Sequence, residues 1–239
     1  TGGHLIKEQG YTITHIEADG FAINEKVDCC LDTSTQASIA ESMGRMAVLF
    51  PSVFRKLKPD YLVVLGDRYE LLPICNSAFV MRIPIIHISG GEVTQGAIDD
   101  GIRNAVTMLA DYHFPGTKDS ADNIIRMRGS DKYIWTVGEL GLDAFKRERL
   151  MSRLQIADIL DLDVDREWVL FTYHAETKET LDYNLDVVRN SLALLVEMSG
   201  YQIVATYANA DYGGRYINQL LEEETRKYSS LKVFPSLGQ

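Results

Sequence analysis

Ionisable side chains are concentrated in one short stretch of the chain, between residues 67 and 103. Two apolar runs of strand length, residues 61–65 and 83–88, pass directly into this polar sequence. Ligands of an open α/β sheet sit where its parallel strands end, so we expect the side chains after both runs to meet at one edge. The residues concerned are Asp67, Arg68, His87, Glu92, Asp99, Asp100 and Arg103.

Carboxylates beside histidine and arginine are the groups needed to move a proton to and from a weakly acidic carbon. One group removes a proton, another donates one, and a third stabilises positive charge. Asp67, Glu92, Asp99 and Asp100 are therefore candidate catalytic residues, and a predicted helix places both Asp99 and Asp100 on the same side as Arg103. Helix capping or simple solvation is the alternative for each carboxylate.

His87 lies near the end of an otherwise apolar run, where a histidine is more often a core residue than a ligand. The following Gly90 and Gly91 allow the backbone to turn sharply and to approach a ligand closely. Both interpretations of His87 stay open on these residues alone.

A second group of candidates lies in the last third of the chain. His174 follows a predicted strand at residues 168–173, in the same position relative to its strand as Asp67. The stretch YANADYGGR, residues 207–215, ends a strand and opens a helix, so its backbone N–H groups and Arg215 predict an anion site. The sequence contains neither GxGxxG nor a Walker loop, which gives dinucleotide redox chemistry and ATP hydrolysis no support.

Strands and helices alternate along most of the chain, which predicts an α/β fold with two Rossmann-like parallel-sheet domains. We expect an N-terminal domain at residues 1–140 without its first strand, a connection at 141–166, and a partial C-terminal domain at 167–239. A ligand cleft is expected between the two domains. Both ends of the chain are expected to be truncated, because the sequence opens on TGGHL and stops directly after an apolar run.

Three local predictions are specific enough to compare with the structure. Residues 11–16 alternate polar and apolar side chains as a short strand would. A helix is expected to start after Ser34 or Thr35, with Pro51 kinking or splitting it. Residues 133–137 are predicted to form another strand of the first sheet.

The formal net charge of -10 argues against nucleic acid or an anionic membrane as the main partner. No apolar run reaches the roughly 18 residues that cross a bilayer and no signal peptide is evident, so a cytoplasmic protein is expected. The cysteines Cys29, Cys30 and Cys75 give neither a disulfide framework nor a zinc spacing, and no metal or cofactor is predicted. A homo-oligomer, dimer or tetramer, is expected.

Five motifs resemble the hydrolysing UDP-N-acetylglucosamine 2-epimerases of bacterial sialic acid synthesis. The resemblance implies a glycosyltransferase-B-like fold that binds a UDP-sugar. It also implies a reaction that converts UDP-N-acetylglucosamine and water to UDP and N-acetylmannosamine through a glycal. The motifs are GDRYELL (66–72), HISGGEVTQGAIDDGIRNAVT (87–107), DYHF (111–114), VGELGLD (137–143) and YANADYGGRYIN (207–218).

The same resemblance assigns roles residue by residue. Proton transfer and oxocarbenium stabilisation are implied for Asp67, Asp99 or Asp100, and His174. Orientation or binding of substrate is implied for Arg68, His87 and Arg103. A place on the side of the site that binds the sugar nucleotide is implied for Asn209, Asp211, Gly213 and Gly214.

Three departures from the family pattern are expected: one in chemistry at Ser89, one in loop rigidity at Ala175, and a basic N-terminal loop and a Ser-rich nucleotide-binding segment that lie outside this chain. Ser89 stands where the broader superfamily has Glu, and Glu92 is the candidate replacement for that carboxylate. Ala175 stands where members often have Pro. Two alternatives therefore remain: the same chemistry on a diacetamido UDP-sugar, as on a legionaminic acid pathway, or a non-catalytic relic that binds sugar nucleotides.

Overall fold

The computed structural model describes residues 1–7, 11–143, 145, 150–198, 200–209 and 211–237. Contacts divide the chain into two compact units, Thr1–Arg147 and Glu148–Gln239. The division falls within the predicted connection at 141–166, of which residues 144 and 146–149 lie outside the described part. Each unit has its own parallel sheet, as the alternating sequence pattern predicts.

Unit 1, Thr1–Arg147, is built on a three-stranded parallel sheet in the order β1-β2-β3. Val64 of β1 aligns with His87 of β2, which aligns with His113 of β3. The helices and strands of this unit are α1 (Ile13–Ala18), α2 (Gln36–Leu57), β1 (Leu62–Leu65), α3 (Leu71–Val80), β2 (Ile85–Ile88), α4 (Asp99–Leu109), β3 (Tyr112–Phe114) and α5 (Lys118–Arg128).

The helix α2 begins where the sequence predicts and continues through Pro51. Thr35 forms a capping box with Ser38, which satisfies backbone groups at the helix start. Phe50 and Phe54 flank Pro51, are both buried, and place their ring centroids 5.6 Å apart. Their packing in the core holds the helix together, so the expected split at Pro51 does not occur.

One predicted strand of unit 1 is wrong, and another forms only in part. Of residues 11–16, the last four lie in helix α1, because Ile13 and Ile16 are three apart and this spacing suits a helix face. Of residues 133–137, only Ile134 forms a bridge, to His113, although Trp135 N–H also donates to the His113 carbonyl. Tyr133 has a φ of 62°, outside the extended range, which interrupts the strand as it begins.

The core of unit 1 lies on one face of its sheet. Val64 and Ile85 point to this face and pack with Met46 of α2, Cys75 of α3 and Val106 of α4. Because the side chains of a strand alternate, His87 points to the same face as Ile85 and is buried there.

Unit 2, Glu148–Gln239, repeats the pattern with a second parallel sheet in the order β4-β5-β6. The strands at Tyr201–Thr206 and Leu231–Phe234 have the predicted bounds. Ile203 and Ala205 of the central strand are buried against the two helices that follow β4 and β5. The elements are α6 (Arg153–Leu160), β4 (Glu167–Thr172), α7 (Leu181–Glu197), β5 (Tyr201–Thr206), α8 (Gly214–Thr225) and β6 (Leu231–Phe234).

Within the described ranges, none of the helices combines the length and the apolar character that crossing a membrane requires.

Candidate active site

The centre of the site in unit 1 is an ion pair between Asp67 and Arg103. Asp67 follows β1 through Gly66, whose φ of 78° favours glycine and turns the chain out of the strand. Arg103 lies on the inward face of α4 with Val106 and Thr107, and only 5% of it is exposed. Its Nη2 donates to Asp67 Oδ2. A buried guanidinium needs such partners, so this pair holds the end of β1 against α4.

Arg103 also organises the loop between β2 and α4. Its Nη1 donates to Thr94 Oγ1 at 2.8 Å, and its Nη2 lies 3.7 Å from Glu92 Oε2. The Thr94 N–H donates to Asp100 Oδ1 at 3.1 Å, which ties the loop to the first turn of α4. We call Asp67, Glu92, Thr94 and Asp100 with this arginine the Arg103 cluster. Three of the carboxylates predicted from the sequence are therefore brought together.

The loop that carries Glu92 is fixed by close backbone packing. Gly91 has a φ of 78°, and a Cβ there would lie 2.2 Å from the Ser120 carbonyl oxygen of α5. Asn123 of α5 donates from Nδ2 to the Gly91 carbonyl at 2.8 Å. Only glycine fits at this approach, and no pattern in the sequence pointed to Asn123 as its support. Ser89 lies in the left-handed region with a φ of 56°.

Glu92 is a partly buried carboxyl group of the cluster. Burial raises the pKa of Glu92, an effect that the nearby Arg103 opposes and that Glu139 and Asp67 reinforce. Its Oε1 has no hydrogen-bond partner among the described residues. Asp67, by contrast, is the direct anionic partner of Arg103. The cluster therefore brings two carboxyl groups to one nitrogen of a single guanidinium, and burial raises the pKa of one of them, Glu92.

His87 lies beneath the cluster and has no exposed surface. Its Nε2 is 2.8 Å from the Gly66 carbonyl oxygen and its Nδ1 is 3.2 Å from Thr107 Oγ1. A carbonyl only accepts, so Nε2 carries the proton and Nδ1 accepts from the hydroxyl. Burial lowers the pKa of His87, which favours this neutral form. Of the two roles expected for His87, this burial fits orientation and not direct contact with a ligand.

The remaining candidates of unit 1 lie around the cluster. Arg68 Nε is 3.4 Å from Glu70 Oε2, and its guanidinium lies 5.0 Å from the centre of the Tyr69 ring. Asp99 is the first residue of α4 and is partly buried. Both lie at the carboxyl edge of the sheet, as predicted.

A cavity of 230 Å³ adjoins the cluster, and we call it the Glu92 cavity. Its walls come from the loop after β2 and from helices α4 and α5. Charged, carboxamide and apolar side chains all contribute to its lining. They include Glu92, Val93, Asp100, Asn104, Arg126 and Met127.

The candidates of unit 2 form a separate group at the carboxyl ends of β4 and β5. His174 is exposed, and its Nδ1 accepts the N–H of Asn209 at 3.0 Å. This bond places the proton of the neutral ring on Nε2. The same bond links the ends of β4 and β5, and Asn209 Nδ2 donates to Asp211 Oδ2 at 2.6 Å within the loop after β5. His174, Asn209 and Asp211 are therefore brought together as the sequence predicts.

Gly213 and Gly214 start helix α8 at the same edge. Gly213 has a φ of 97°, and a Cβ on Gly214 would lie 2.0 Å from the Asn209 carbonyl oxygen. Glycine is required at both positions for the turn to close on Asn209. The first N–H groups of α8 are consequently held beside His174, as an anion site would need.

Asn184 supports the His174 loop and is absent from the sequence-based candidates. It is 3% exposed in α7, and its Oδ1 accepts from Tyr173 Oη at 2.7 Å and from Glu176 N–H at 2.8 Å. Its Nδ2 donates to the carbonyls of Glu176 and Thr180. One pattern in the sequence could have pointed to Asn184: it is a polar residue four positions before Val188, on a helix face that is otherwise apolar.

The whole chain, residues 1–239, matches the family model described as UDP-N-acetylglucosamine 2-epimerase. Two similar relatives are hydrolysing 2-epimerases of GDP/UDP- or UDP-N,N'-diacetylbacillosamine. The Campylobacter jejuni enzyme is 32% identical over 100% of this chain and 62% of its own length. The Legionella pneumophila enzyme is 31% identical over 93% of this chain and 58% of its own length. The chain thus spans about three fifths of the length of these relatives.

Solved structures support the glycosyltransferase-B-like fold. The UDP-GlcNAc 2-epimerase of Neisseria meningitidis, solved with UDP-GlcNAc bound, matches with a TM-score of 0.74 and 15% identity. The match covers 95% of this chain and 62% of that structure. At this identity the likeness concerns the fold alone. With the family model matching every residue, the chain belongs to the UDP-N-acetylglucosamine 2-epimerase family.

Proposed function

We propose that the protein is a hydrolysing 2-epimerase of a UDP-linked N-acetylated amino sugar. The observation that carries this proposal is the arrangement of Asp67 and Glu92 around Arg103. Inversion at a carbon requires that the proton leave one face and return to the other. Two proton-transfer groups, one for each face, are therefore needed, and we assign these roles to Asp67 and Glu92 of the Arg103 cluster.

In the first step, UDP is eliminated across C1 and C2. Asp67 takes the proton from C2, the electron pair of the C–H bond forms the C1–C2 double bond, and the C1–O bond to UDP breaks. Arg103 stabilises charge that develops beside the sugar, because its guanidinium is buried and held in place by Thr94. The products of this step are a glycal and UDP.

In the second step, water adds across the double bond. Glu92 donates its proton to C2 from the opposite face, and water bonds to C1 and loses a proton to a carboxylate. The raised pKa of Glu92 supports the donor role, because a carboxyl group must be protonated to donate. Glu92 thereby supplies the acidic group that the family pattern places at position 89, where this chain has serine.

Unit 2 is assigned to the nucleotide. The N-terminus of α8, opened by Gly213 and Gly214, offers backbone N–H groups to the diphosphate, and Asn209 and Asp211 border it. His174 presents its Nε2–H at the same edge, which suits a proton donor to the departing phosphate oxygen. Arg68 and Asp99 remain proposed substrate-binding and catalytic residues, respectively, of unit 1.

The preferred substrate is proposed to be the UDP-linked diacetamido sugar that the two reported relatives are named for. This was the alternative left open by the sequence. The second candidate is UDP-N-acetylglucosamine, giving N-acetylmannosamine for sialic acid synthesis, and the motifs at residues 66–72 and 87–107 favour it. A homo-oligomer, dimer or tetramer, stays a prediction.

The experiment that tests this function measures UDP release by the full-length protein with each of the two sugars, separately and in competition. We expect release with both and a higher kcat/KM for the diacetamido sugar. Asp67→Asn should abolish release, whereas Asp122→Asn, a change on the exposed side of α5, should not. Saturable binding without UDP release would favour the non-catalytic relic, and a preference for UDP-N-acetylglucosamine would reverse the substrate assignment.

A further inference from the structure

We propose that the Glu92 cavity binds the acetamido group on C2 of the sugar. The inference rests on the proposed function and deepens it by assigning a part of the substrate to named residues. The C2 acetamido group is attached to the carbon that loses and regains the proton. Any cavity that receives it must therefore share a wall with the proton-transfer groups.

The cavity shares such a wall with the Arg103 cluster. Glu92 contributes to both, since its Oε2 lies 3.7 Å from Arg103 while the residue lines the cavity. Asp100 is a second shared residue, because its Oδ1 accepts the N–H of Thr94, whose hydroxyl binds Arg103. A substituent on C2 that leaves the cluster on this side enters the Glu92 cavity.

The chemistry of the lining matches an acetamido group. The N–H of the group needs an acceptor, and Glu92 Oε1 is a buried oxygen without a hydrogen-bond partner in the described part of the chain. The carbonyl needs a donor, which the Asn104 carboxamide on the cavity wall supplies. The methyl group needs an apolar contact, and Val93 and Met127 provide one. A hydroxyl group would use only part of this lining.

The size of the cavity is also suitable, and its wall is held firmly. An acetamido group occupies roughly 120 Å³, at ~30 Å³ for each of its water-sized atoms, within the 230 Å³ present. Arg126 donates from Nη2 to Asn123 Oδ1, and Asn123 donates to the Gly91 carbonyl. The bond from Asn123 to Gly91 joins α5 to the loop, and Arg126 orients Asn123 for it.

The test uses calorimetry on the full-length protein with UDP-N-acetylglucosamine and UDP-glucose, which differ only in the C2 acetamido group. We expect the wild type to prefer the acetamido sugar. Asn104→Leu, which cannot donate, should reduce this preference by about tenfold, the effect of one hydrogen bond between a protein and its ligand. Met108→Ala, on the exposed side of the same helix, is the control and should leave the preference unchanged.

A second arm changes the size of the acyl group. Met127→Ala enlarges the cavity and should improve binding of the C2 N-propionyl analogue relative to the C2 N-acetyl sugar. Improvement with a C4 acyl analogue instead, or an unchanged preference in Asn104→Leu, would overturn the assignment even if turnover were normal. Preserved acetamido selectivity without turnover would refute the proposed function alone, and no binding of either sugar would overturn both.

Discussion

Arg103 sets the properties of the carboxyl groups around it. Its guanidinium is almost wholly buried and contacts Asp67, Glu92 and Thr94 through its two terminal nitrogens. The planar guanidinium presents its donors in a fixed fork, so the position of Arg103 sets the positions of its partners. Asp67 and Glu92 thus differ in their surroundings, because Asp67 pairs directly with Arg103 whereas burial raises the pKa of Glu92.

The protonation of Glu92 predicts a pH effect on turnover. If Glu92 donates a proton, kcat falls as the pH rises through its pKa, which burial places above the ordinary value of 4.5. Glu92→Gln should lower kcat by about 100-fold, a usual effect for a lost acid catalyst, and remove this alkaline limb. The measurement is kcat against pH by UDP release in both proteins. An unchanged alkaline limb in Glu92→Gln would assign the acid to another residue.

The burial of His87 predicts a positioning effect. Loss of its bond to the Gly66 carbonyl lets Asp67 move, so His87→Leu should lower kcat 10- to 100-fold while KM stays nearly constant. His87→Gln should restore part of the rate, because its amide can still donate to that carbonyl. A higher KM with an unchanged kcat would instead indicate that His87 contacts the substrate.

At the scale of helices and strands, local pattern predicted most elements. The helix after Thr35 and the strands Tyr201–Thr206 and Leu231–Phe234 follow from capping and continuous apolar runs. Helix α1 was mistaken for a strand because Tyr11 and Ile13 are two apart, as in a strand, whereas Ile13 and Ile16 have the helical spacing of three. The helix continues past Pro51 because core packing on both sides outweighs one missing hydrogen bond.

The sequence predicts the location of the candidate site at the ends of the strands, but not the contacts within it. Parallel strands bring Asp67 and the loop after β2 to one edge, and this was readable from the sequence. The sequence does not predict contacts between distant elements. Examples are the hydrogen bonds of Asn123 with Gly91 and of Asn184 with Tyr173. The inward direction of His87 depends on the register of the sheet, which periodicity alone does not give.

The loop that carries His174 depends on one residue of α7. Asn184→Ala removes hydrogen bonds to Tyr173, Glu176 and Thr180 and leaves buried groups unsatisfied, so we expect a loss of about 3 kcal/mol in the free energy of unfolding. Urea denaturation measures this loss. Asn190→Ala on the exposed face of the same helix is the control and should change stability by less than about 0.5 kcal/mol. Equal effects of the two changes would refute the assigned role.

For the whole molecule, two neutral histidines in the core make stability depend on pH. His113 aligns with His87 across β2 and β3 and has no exposed surface. Burial, and then the charge of Arg128, lower the pKa of His113 to about 4. Below pH 6.5 the unfolded chain takes up a proton that the folded chain does not, so stability is lost as the pH falls.

The expected loss from His113 is about 3 kcal/mol between pH 6.5 and 4, at roughly 1.4 kcal/mol for each pKa unit. His113→Leu should remove this part of the dependence, and His15→Leu, an exposed change in α1, should not. The free energy of unfolding of the three full-length proteins, measured across this pH range, checks the result. Parallel pH profiles for wild type and His113→Leu would contradict it.

The central claim is that Asp67 and Glu92 exchange the C2 proton of a UDP-sugar with solvent. Proton NMR of the full-length protein with the diacetamido UDP-sugar in D2O tests this most directly, beside an Asp67→Asn variant. We predict a released sugar that is inverted and carries deuterium at C2, and no release by the variant. Inverted product that retains its original hydrogen at C2, or equal turnover by Asp67→Asn, would contradict the account.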